Sequence, residues 1–495
     1  MKNNRSSFLS KTKYLGGLKC LKLLWYEYNR KQDLPEIDAA TQAIMDQGTK
    51  VGELAHLLFP GGIKLERDYV PDKQAEKSLK AAKLRKPLFE AGFVYNRAYA
   101  LADILNPVGK DAWDLIEVKS STGVKDEYYH DVAFQKYTYE GAGLKIRKCY
   151  LMYINNQYTL KGKIDPNKLF ATEDVTKQAD EVIPEIEGAV ADMFEAIGKK
   201  DAPRVKVGPH CDKPYPCPLE DICWDFLPPK DDIFCLYSGT KKAYELLERG
   251  ALRITDISAD VSLSYKQNIQ VSCHRSCAPH VDKEGIKAFL NTLEYPLYFL
   301  DFETLNPAIP AYDNSRPYEA IPFQYSLCIV KHEGAELEHR SYLAPGDKDP
   351  RPEILKQLKT LLGKSGSIIA YNATFEKTTL RHASEAYPEY QGWVSLLEER
   401  VVDLLAPFRG FLYYHPDQAG SASLKKVLPV ITKSSYDGME ITDGGMASME
   451  YCRVTFGDNI DEKERQRVCV ALEKYCDLDT KGMINIVGAL KNISV

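Results

Sequence analysis

Two periods of hydrophobic and polar positions recur along the chain, and together they predict a mixed α/β protein. A period near 3.6 residues, typical of amphipathic helices, covers residues 10–30, 73–90, 134–144, 176–199 and 461–491. Strands are predicted from a period of two or from short apolar runs over residues 93–103, 113–119, 148–154, 297–302, 323–331, 338–343 and 367–371. A polar turn at residues 106–111 joins the first two strands and predicts that they lie side by side.

The length of 495 residues exceeds what one hydrophobic core ordinarily supports, so more than one domain is expected. A loop with many prolines and cysteines runs over residues 203–229, and a mostly helical stretch follows it. We therefore predict an N-terminal domain over residues 1–229, a helical connector over residues 230–294 and a C-terminal domain over residues 295–495.

Composition narrows the class of protein further. The chain is 44% hydrophobic and 27% charged, as ordinary globular proteins are, and it has no apolar run long enough to span a membrane. The N-terminus lacks the apolar core of a signal peptide, so a cytoplasmic location without a membrane partner is expected. A net charge of −5 excludes a uniformly basic surface for nucleic acid but is compatible with a local basic groove. Twelve cysteines in such a chain indicate thiols and metal ligands before disulfides.

Two carboxylates and a lysine are expected to share one face of the first strand pair. Asp103 ends one strand, and Glu117 and Lys119, two residues apart, lie on the next. Two carboxylates bind a divalent cation through hard oxygen ligands, and a neighbouring lysine can orient or deprotonate water and offset charge on a phosphate. His56, on a preceding helix, can complete the metal coordination. The alternative for this pattern is a surface strand with an ordinary Glu–Lys pair.

The order of these residues resembles that of the PD-(D/E)xK nucleases of the RecB type, with the CRISPR-associated RecB-like exonucleases and the nuclease domain of AddB as the closest likeness. The resemblance covers about residues 10–225 and rests on Ala102-Asp103-Ile104-Leu105, Trp113-Asp114-Leu115-Ile116-Glu117-Val118-Lys119-Ser120-Ser121 and Gln135-x3-Tyr139. It implies a restriction-endonuclease-like fold in which Asp103, Glu117 and His56 bind metal and Lys119 is catalytic. It also implies that the helix with Gln135 and Tyr139 contacts the substrate.

Four cysteines predict a further metal site. Cys211, Cys217 and Cys223 are each six residues apart in the proline-stiffened loop, and Cys20 is the natural fourth ligand. Members of the resembled family join the two ends of this domain through a 4Fe–4S cluster on one N-terminal and three C-terminal cysteines, so the resemblance implies such a cluster here. Zinc accepts the same four thiolates and is the alternative. Three other cysteines have apolar neighbours and are expected in the core: Cys149, Cys328 and Cys469.

The C-terminal half carries a second group of acidic residues. An apolar strand ends in Asp301 and Glu303, and alternation places both side chains on one face. Glu376 begins a helix after another buried strand, and Tyr475 and Asp479 lie four residues apart on the last helix. Buried carboxylates repel one another and lose hydration, so such a group is expected to bind divalent cations.

Asp301-x-Glu303, then Asn372-x2-Phe375-Glu376, then Tyr475-x3-Asp479 resembles the DnaQ-like, DEDD-type 3′–5′ exonucleases of the tyrosine subclass. The resemblance covers about residues 295–490. It implies an RNase H-like fold, a mixed sheet flanked by helices, in which four acids bind two metals and the tyrosine positions the attacking water. That family usually has aspartate where this chain has Glu376, which predicts either a shifted ligand or a slower or inactive site. Asp403 is a candidate for an additional acid of this site, although aspartates are common at strand ends. The basic helix tip at Lys425 and Lys426 is a candidate for contact with a phosphate backbone, and a solvated face is the equal alternative.

Both halves together resemble bacterial proteins of unknown function that join a RecB-type nuclease to a DnaQ-like exonuclease. The resulting prediction is a nuclease with two active sites, each needing Mg²⁺ or Mn²⁺. Its expected substrate is single-stranded or free-ended DNA, in DNA repair, recombination or defence. Two alternatives stay open: a nucleic-acid-binding scaffold with one or both sites inactive, and an RNA exonuclease.

Overall fold

The computed structural model describes residues 8–457 and 459–495, which form two compact units of mixed α and β structure. One unit contains the chain up to Asp225 together with Pro307–Tyr318, and the other contains Phe226–Asn306 and Glu319–Val495. The boundaries at residues 229 and 294 stay predictions. Among the described residues, no helix is both long and apolar enough to cross a lipid bilayer.

The first unit is built around a seven-stranded sheet. Its strands are β1 (Leu9–Ser10), β2 (Ile63–Lys64), β3 (Leu88–Tyr95), β4 (Ala98–Val108), β5 (Ala112–Lys119), β6 (Lys145–Ile154) and β7 (Phe170–Asp174). Its helices are α1 (Lys11–Lys19), α2 (Leu21–Asn29), α3 (Ala39–His56), α4 (Pro71–Ala82), α5 (Asp126–Gly141), α6 (Pro166–Leu169), α7 (Thr176–Gly198) and α8 (Glu220–Cys223).

Strands β2 to β7 follow one another across this sheet, and β1 pairs with β4. Neighbours β3, β4 and β5 are antiparallel, whereas β5 and β6 are parallel, so the chain crosses between them through α5. Apolar side chains are buried on both faces of the sheet. One core packs against α1, α2, α5 and α7, and the other packs against α3 and the segment 307–318. Strand β4 and the end of β5, which carries Glu117 and Lys119, consequently lie next to α5.

The second unit contains a five-stranded sheet and a two-stranded one. Its strands are β8 (His280–Val281), β9 (Leu297–Leu305), β10 (Ile321–Val330), β11 (Glu338–Leu343), β12 (Ile368–Ala370), β13 (Val401–Asp403) and β14 (Tyr413–Tyr414). Its helices are α9 (Thr240–Glu248), α10 (Tyr265–Ser276), α11 (Lys283–Leu290), α12 (Arg351–Leu361), α13 (Thr374–Ala386), α14 (Gln391–Glu398), α15 (Ala406–Arg409), α16 (Leu424–Thr432), α17 (Gly444–Phe456) and α18 (Glu462–Ser494).

The larger sheet has the strand order β11–β10–β9–β12–β13. Strand β10 is antiparallel to β9 and β11, whereas β12 is parallel to β9 and β13, so the sheet is mixed. Helices α12, α13 and α14 cover one face, and α11, α16 and α18 cover the other. Because β9 lies at the centre with both faces covered, its first four residues are all apolar. The acids that follow this run are therefore carried on a rigid strand.

Three of the predicted helices differ from the observed ones. The helix predicted over residues 134–144 is α5, which begins earlier, at Asp126, and ends at Gly141. The helix predicted over residues 73–90 ends at Ala82, because Arg85 takes a left-handed conformation with φ 50° and Pro87 disfavours a return to helix. Residues 88–95 instead form β3. The helix predicted over residues 10–30 is divided by extended backbone at Cys20 (φ −162°, ψ 116°). The helix predicted over residues 176–199 is confirmed as α7.

Candidate active sites

Antiparallel pairing of β4 with β5 brings Asp103 beside Glu117. Ile104 and Ile116 are direct partners in the ladder, and Asp103 Oδ2 accepts a hydrogen bond of 2.7 Å from the backbone N–H of Val118. Glu117 is buried, with 2% of its surface exposed. The two acids of the first predicted site are therefore neighbours in the folded unit.

Glu117 is linked to Asp131, on α5, through two ammonium groups. Lys119 Nζ lies 2.7 Å from Glu117 Oε1 and 2.5 Å from Asp131 Oδ2. Lys11 Nζ lies 2.6 Å from the same Glu117 oxygen and 3.2 Å from Asp131 Oδ1. Sequence analysis missed Lys11 and Asp131. Lys11 precedes Glu117 by 106 positions and carries no local signal, whereas Asp131 stands four residues before Gln135, one turn of helix away.

Gln135 and Tyr139 of α5 have different surroundings. The Gln135 amide donates to Glu117 Oε2 at 2.7 Å and to Asp131 Oδ1 at 2.9 Å, so it holds the two carboxylates in place. The Tyr139 hydroxyl donates to the backbone carbonyl of Ala91, and its side chain has no exposed surface. Gln135 is part of the acidic cluster, whereas Tyr139 is part of the core. The substrate contact expected for Tyr139 does not fit this placement.

Opposite charges balance one another in this cluster. Burial opposes ionisation of Glu117, but Lys11 and Lys119 outweigh it and hold the pKa of Glu117 well below its usual range. Burial also disfavours a charged Lys119, but Glu117 and Asp131 outweigh it and raise the pKa of Lys119. Loss of hydration and the charge of Glu117 raise the pKa of Asp103 to about 8. Lys119 is therefore an ammonium at neutral pH, suited to offsetting negative charge rather than accepting a proton.

His56 is the last residue of α3 and lies close to Asp103. Its ring stacks on Phe89 with 3.9 Å between ring centroids, and it hydrogen-bonds to the backbone of Asp103. Burial and the charge of Lys64 lower the pKa of His56, so the imidazole is neutral at neutral pH. Neutral imidazole is the form that binds metal ions. The chemistry of His56, Asp103 and Glu117 therefore suits one hard divalent cation, but their ligand atoms do not all lie within 4.8 Å of one another in the metal-free chain.

The four predicted cysteine ligands line one cavity of the first unit, together with Lys22 and Trp224. Cys20 reaches it from the break between α1 and α2, and the other three come from the loop after α7. Lys22 Nζ lies 3.1 Å from Cys223 Sγ and supplies positive charge beside the sulfurs. Burial raises the pKa of the Cys211 and Cys217 thiols, so a bound metal is needed to keep them ionised.

Spacing of the four sulfurs bears on which metal they suit. Two sets of three ligand atoms lie within 4.8 Å of one another in the described chain, Asp301–Glu303–Cys476 and Cys328–His339–Asp477, and the four cysteines form no such set. Tetrahedral zinc with Zn–S bonds of about 2.3 Å requires sulfurs roughly 3.8 Å apart. In the metal-free chain, no three of the four sulfurs are therefore placed as close together as a tetrahedral zinc ion requires.

In the second unit, Asp301 and Glu303 on β9 face the C-terminal helix α18. Their carboxylate oxygens and the Cys476 sulfur lie within 4.8 Å of one another, and the Cys476 thiol donates to Asp301 Oδ2 at 3.5 Å. Asp479 of α18 and Glu376, in the first turn of α13, lie close enough for their charges to raise the pKa values of Asp301 and Glu303. All four acids of the second predicted site thus act on one another.

Every carboxyl group of this cluster is harder to ionise than in water. Loss of hydration, followed by repulsion from the neighbouring acids, raises the pKa of Asp301 well above its usual range. Burial raises the pKa of Glu303 and of Glu376 to about 8, and that of Asp479 to about 6. Glu376 Oε2 is buried without a hydrogen-bond partner in the described chain. Hard divalent cations would relieve both the repulsion and this unpaired oxygen, so the donor set fits magnesium or manganese.

Three further side chains border the four acids. The Tyr436 hydroxyl donates to Asp479 Oδ1, a contact that no sequence motif indicated. Lys425 Nζ lies 5.7 Å from the ring centroid of Tyr475 and 6.0 Å from that of Tyr436. The charge of Lys425 lowers the pKa of Glu303 and of Asp479, opposing the effect of burial. The basic helix tip predicted at Lys425 therefore faces the acidic cluster.

Asp403, considered as a further acid of this site, lies close enough to Glu376 for its charge to raise the pKa of Glu376. Asp403 Oδ1 accepts hydrogen bonds of 3.0 Å from the backbone N–H groups of Asn372 and Leu405. These bonds fix the turn between β12 and α13, at whose start Glu376 lies. Asp403 therefore positions the element that carries Glu376.

Residues 298–423 match a protein family described as a domain of unknown function (DUF2779). The chain is also similar to proteins described as uncharacterized in three related bacteria. The protein of Mycoplasma pneumoniae is 26% identical over 233 residues, which cover 41% of this chain and 34% of the relative. That of Mycoplasma genitalium is 26% identical over 218 residues (40% and 32%), and that of Ureaplasma parvum is 23% identical over 265 residues (48% and 37%). The chain thus spans about a third of the length of these relatives.

Proposed function

We propose that the protein is a metal-dependent nuclease with two separate active sites that hydrolyse phosphodiester bonds in DNA. The observation that carries the proposal is the cluster of four acids in the second unit, which are buried and have raised pKa values. Burying several carboxyl groups together without cations costs stability on the order of several kcal/mol. Such a cluster is typical of a two-metal site for phosphoryl chemistry.

The mixed sheet with acids on its central strand supports assigning the second unit to the RNase H-like fold of DnaQ-type exonucleases. Bound to these acids, Mg²⁺ or Mn²⁺ would supply an activated water and neutralise charge on the phosphate. Tyr475 keeps its proton, because burial raises its pKa above the usual range, and its hydroxyl would orient the water. Tyr436 fixes the orientation of Asp479, and Lys425 would attract the phosphate backbone.

The order of elements β4–β5–α5–β6 supports assigning the first unit to the PD-(D/E)xK nucleases. Asp103, Glu117 and His56 would hold a divalent cation, which supplies a water of lowered pKa. Lys119 would stabilise the negative charge that develops on the phosphate, since it is an ammonium held beside Glu117. Four cysteines would hold a 4Fe–4S cluster that joins both ends of the unit.

The test is a cleavage assay with the full-length protein on end-labelled single-stranded DNA, double-stranded DNA and RNA, in Mg²⁺, Mn²⁺ or EDTA. We expect metal-dependent shortening of single-stranded or free-ended DNA, absent in EDTA and absent in a variant with both Asp301→Asn and Lys119→Met. Degradation of RNA alone would replace the DNA substrate with RNA. Binding without cleavage under every metal condition would replace the nuclease with a nucleic-acid-binding scaffold.

Protein purified without oxygen is expected to be brown and to contain iron and sulfide. Cys217→Ser is expected to lose this colour and to lower the melting temperature of the first unit, because the cluster joins residues far apart in sequence. Visible absorption, iron content and thermal unfolding measure both effects. Cys277→Ser, at an exposed position in the second unit, is the matched control and should keep the colour. Colourless protein with one stoichiometric zinc would contradict the cluster.

Lys425→Met is expected to slow cleavage by the second unit about tenfold and to shift the acid limb of its pH–rate profile to higher pH. The charge of Lys425 lowers the pKa of Glu303 and Asp479, so without it fewer carboxylates are ionised at a given pH. The measurement is the pH–rate profile in a Lys119→Met background. Lys426→Met removes an equal charge from the next position and serves as the control. Equal profiles for the two variants would exclude a specific role for Lys425.

A further inference from the structure

A second group of metal-binding side chains lies in the second unit, on elements β10, β11 and α18. Cys328 of β10 and His339 of β11 are direct partners in the antiparallel ladder, so both point to the same face of the sheet. Helix α18 packs on this face and contributes Asp477. The Cys328 sulfur, one imidazole nitrogen of His339 and one carboxylate oxygen of Asp477 lie within 4.8 Å of one another.

Contacts in this group hold the side chains in place for a ligand. His339 Nε2 lies 3.1 Å from Asp477 Oδ1 and 3.0 Å from Ser326 Oγ. Lys481 binds the other carboxylate oxygen, Asp477 Oδ2, at 2.6 Å. Asp477 Oδ1 is enclosed, and the polar group beside it is the His339 imidazole. The carboxylate is therefore oriented by Lys481, and its enclosed oxygen faces the imidazole and the thiol.

The chemistry of these donors differs from that of the four acids. A soft thiolate, an imidazole and a single hard carboxylate together form a mixed donor set, which favours zinc over magnesium, calcium or manganese. Three protein ligands also leave a fourth tetrahedral position for water. Ser326 and Thr480 surround the group as hydrogen-bonding neighbours, with 2.8 Å between their hydroxyl oxygens. Such outer contacts orient metal ligands in zinc proteins.

We propose that Cys328, His339 and Asp477 form a zinc site that ties the edge strand β11 to helix α18. Strand β11 is the outermost strand of the five-stranded sheet, so it has a partner on one side alone. Helix α18 carries Asp479 and Tyr475, and a metal bound two residues before Asp479 holds that helix against the sheet. The site is independent of the nuclease proposal, because none of its three ligands belongs to either candidate active site.

The test counts zinc bound by the full-length protein at sub-micromolar free Zn²⁺ in the presence of excess Mg²⁺. His339→Ala is expected to bind one zinc equivalent less than the wild type and to lose most of the rise in melting temperature that zinc produces. Loading with Co²⁺ provides a spectroscopic measurement, since a cobalt–thiolate charge-transfer band is expected in the wild type and should weaken in Cys328→Ala. The variants leave the other candidate metal sites unchanged. A difference in zinc content or in the cobalt band between variants therefore measures binding at this site.

Ser326→Ala is the matched control for these variants. Ser326→Ala removes the hydrogen bond between Ser326 and His339 but leaves all three proposed ligands in place. It should therefore bind as much zinc as the wild type, even if it lowers stability. Asp477→Asn keeps the size of the side chain and is expected to reduce zinc affinity at least tenfold. Equal zinc content in the wild type, His339→Ala and Asp477→Asn would overturn the proposal and leave the group as a hydrogen-bonded network.

Discussion

Asp301→Asn is expected to abolish metal-dependent cleavage by the second unit and, in the same protein, to raise the stability of the metal-free form. Burial and three neighbouring acids raise the pKa of Asp301 well above its usual range, so the metal-free protein folds at the cost of protonating this carboxyl group. An amide of the same size is neutral without taking up a proton, so it removes this cost, and it also removes a proposed metal ligand. We expect a loss of cleavage of roughly a thousandfold or more and a gain of about 3 °C in melting temperature in EDTA.

The same cluster predicts how stability depends on pH. Glu303 and Glu376 have pKa values of about 8 in the folded protein, above those of exposed glutamates, so the folded state binds more protons than the unfolded state between these values. Stability in EDTA is therefore expected to fall as the pH rises from about 4 to about 8. Saturating Mg²⁺ should reverse the loss, because it favours the ionised carboxylates. Melting temperatures measured against pH, with and without Mg²⁺, check the sign.

The Asp301→Asn prediction is tested against a background variant and a control variant. The Lys119→Met background isolates cleavage by the second unit. Lys364→Met, an exposed substitution outside both candidate sites, is the control and should leave cleavage and melting temperature unchanged. Glu376→Gln should behave as Asp301→Asn does, whereas Glu376→Asp tests whether the extra methylene slows the site. An Asp301→Asn protein that cleaves at the wild-type rate would exclude the four-acid site. One that loses cleavage but is no more stable without metal would contradict the electrostatic account.

Local periodicity accounts for the site residues that sequence analysis identified. Asp301 and Glu303 stand two apart on a strand, and Tyr475 and Asp479 stand four apart on a helix, so each pair shares a face whatever the tertiary structure is. The pairing of β4 with β5, which brings Asp103 beside Glu117, was also predicted from the short polar turn between these strands. The mixed α/β class is confirmed for the same reason, since alternating helix and strand periods are local signals.

Residues that depend on tertiary packing were missed. Lys11 reaches Glu117 because α1 packs near α5 and β4, and nothing within its own stretch of sequence indicates this. Tyr436 lies in a loop between α16 and α17, without a period that would place it beside Asp479. Tyr139 shows the opposite error, because a residue type suited to contacting the substrate is buried in the core.

Lys119→Met is expected to reduce the rate of cleavage by the first unit by roughly a hundredfold to ten-thousandfold. It should leave metal affinity nearly unchanged, because the lysine offsets charge on the phosphate and is not a ligand. Methionine keeps the length of the side chain, so packing changes little. The measurement is single-turnover cleavage in the Asp301→Asn background, with Mn²⁺ binding followed by calorimetry. Lys148→Met, which removes the exposed partner of Asp174, is the control and should cleave at the parent rate.

A comparison of Lys11→Met with Lys119→Met distinguishes a catalytic role for Lys119 from a general need for positive charge beside Glu117. Both ammonium groups contact Glu117 Oε1 and Asp131, so each alone can neutralise these acids in the metal-free protein. If charge balance alone mattered, Lys11→Met and Lys119→Met would reduce cleavage equally. We expect a larger loss from Lys119→Met, because Lys119 shares strand β5 with the proposed ligand Glu117 and is held there by the sheet. Cleavage by Lys119→Met at the parent rate would show that the first site is misassigned.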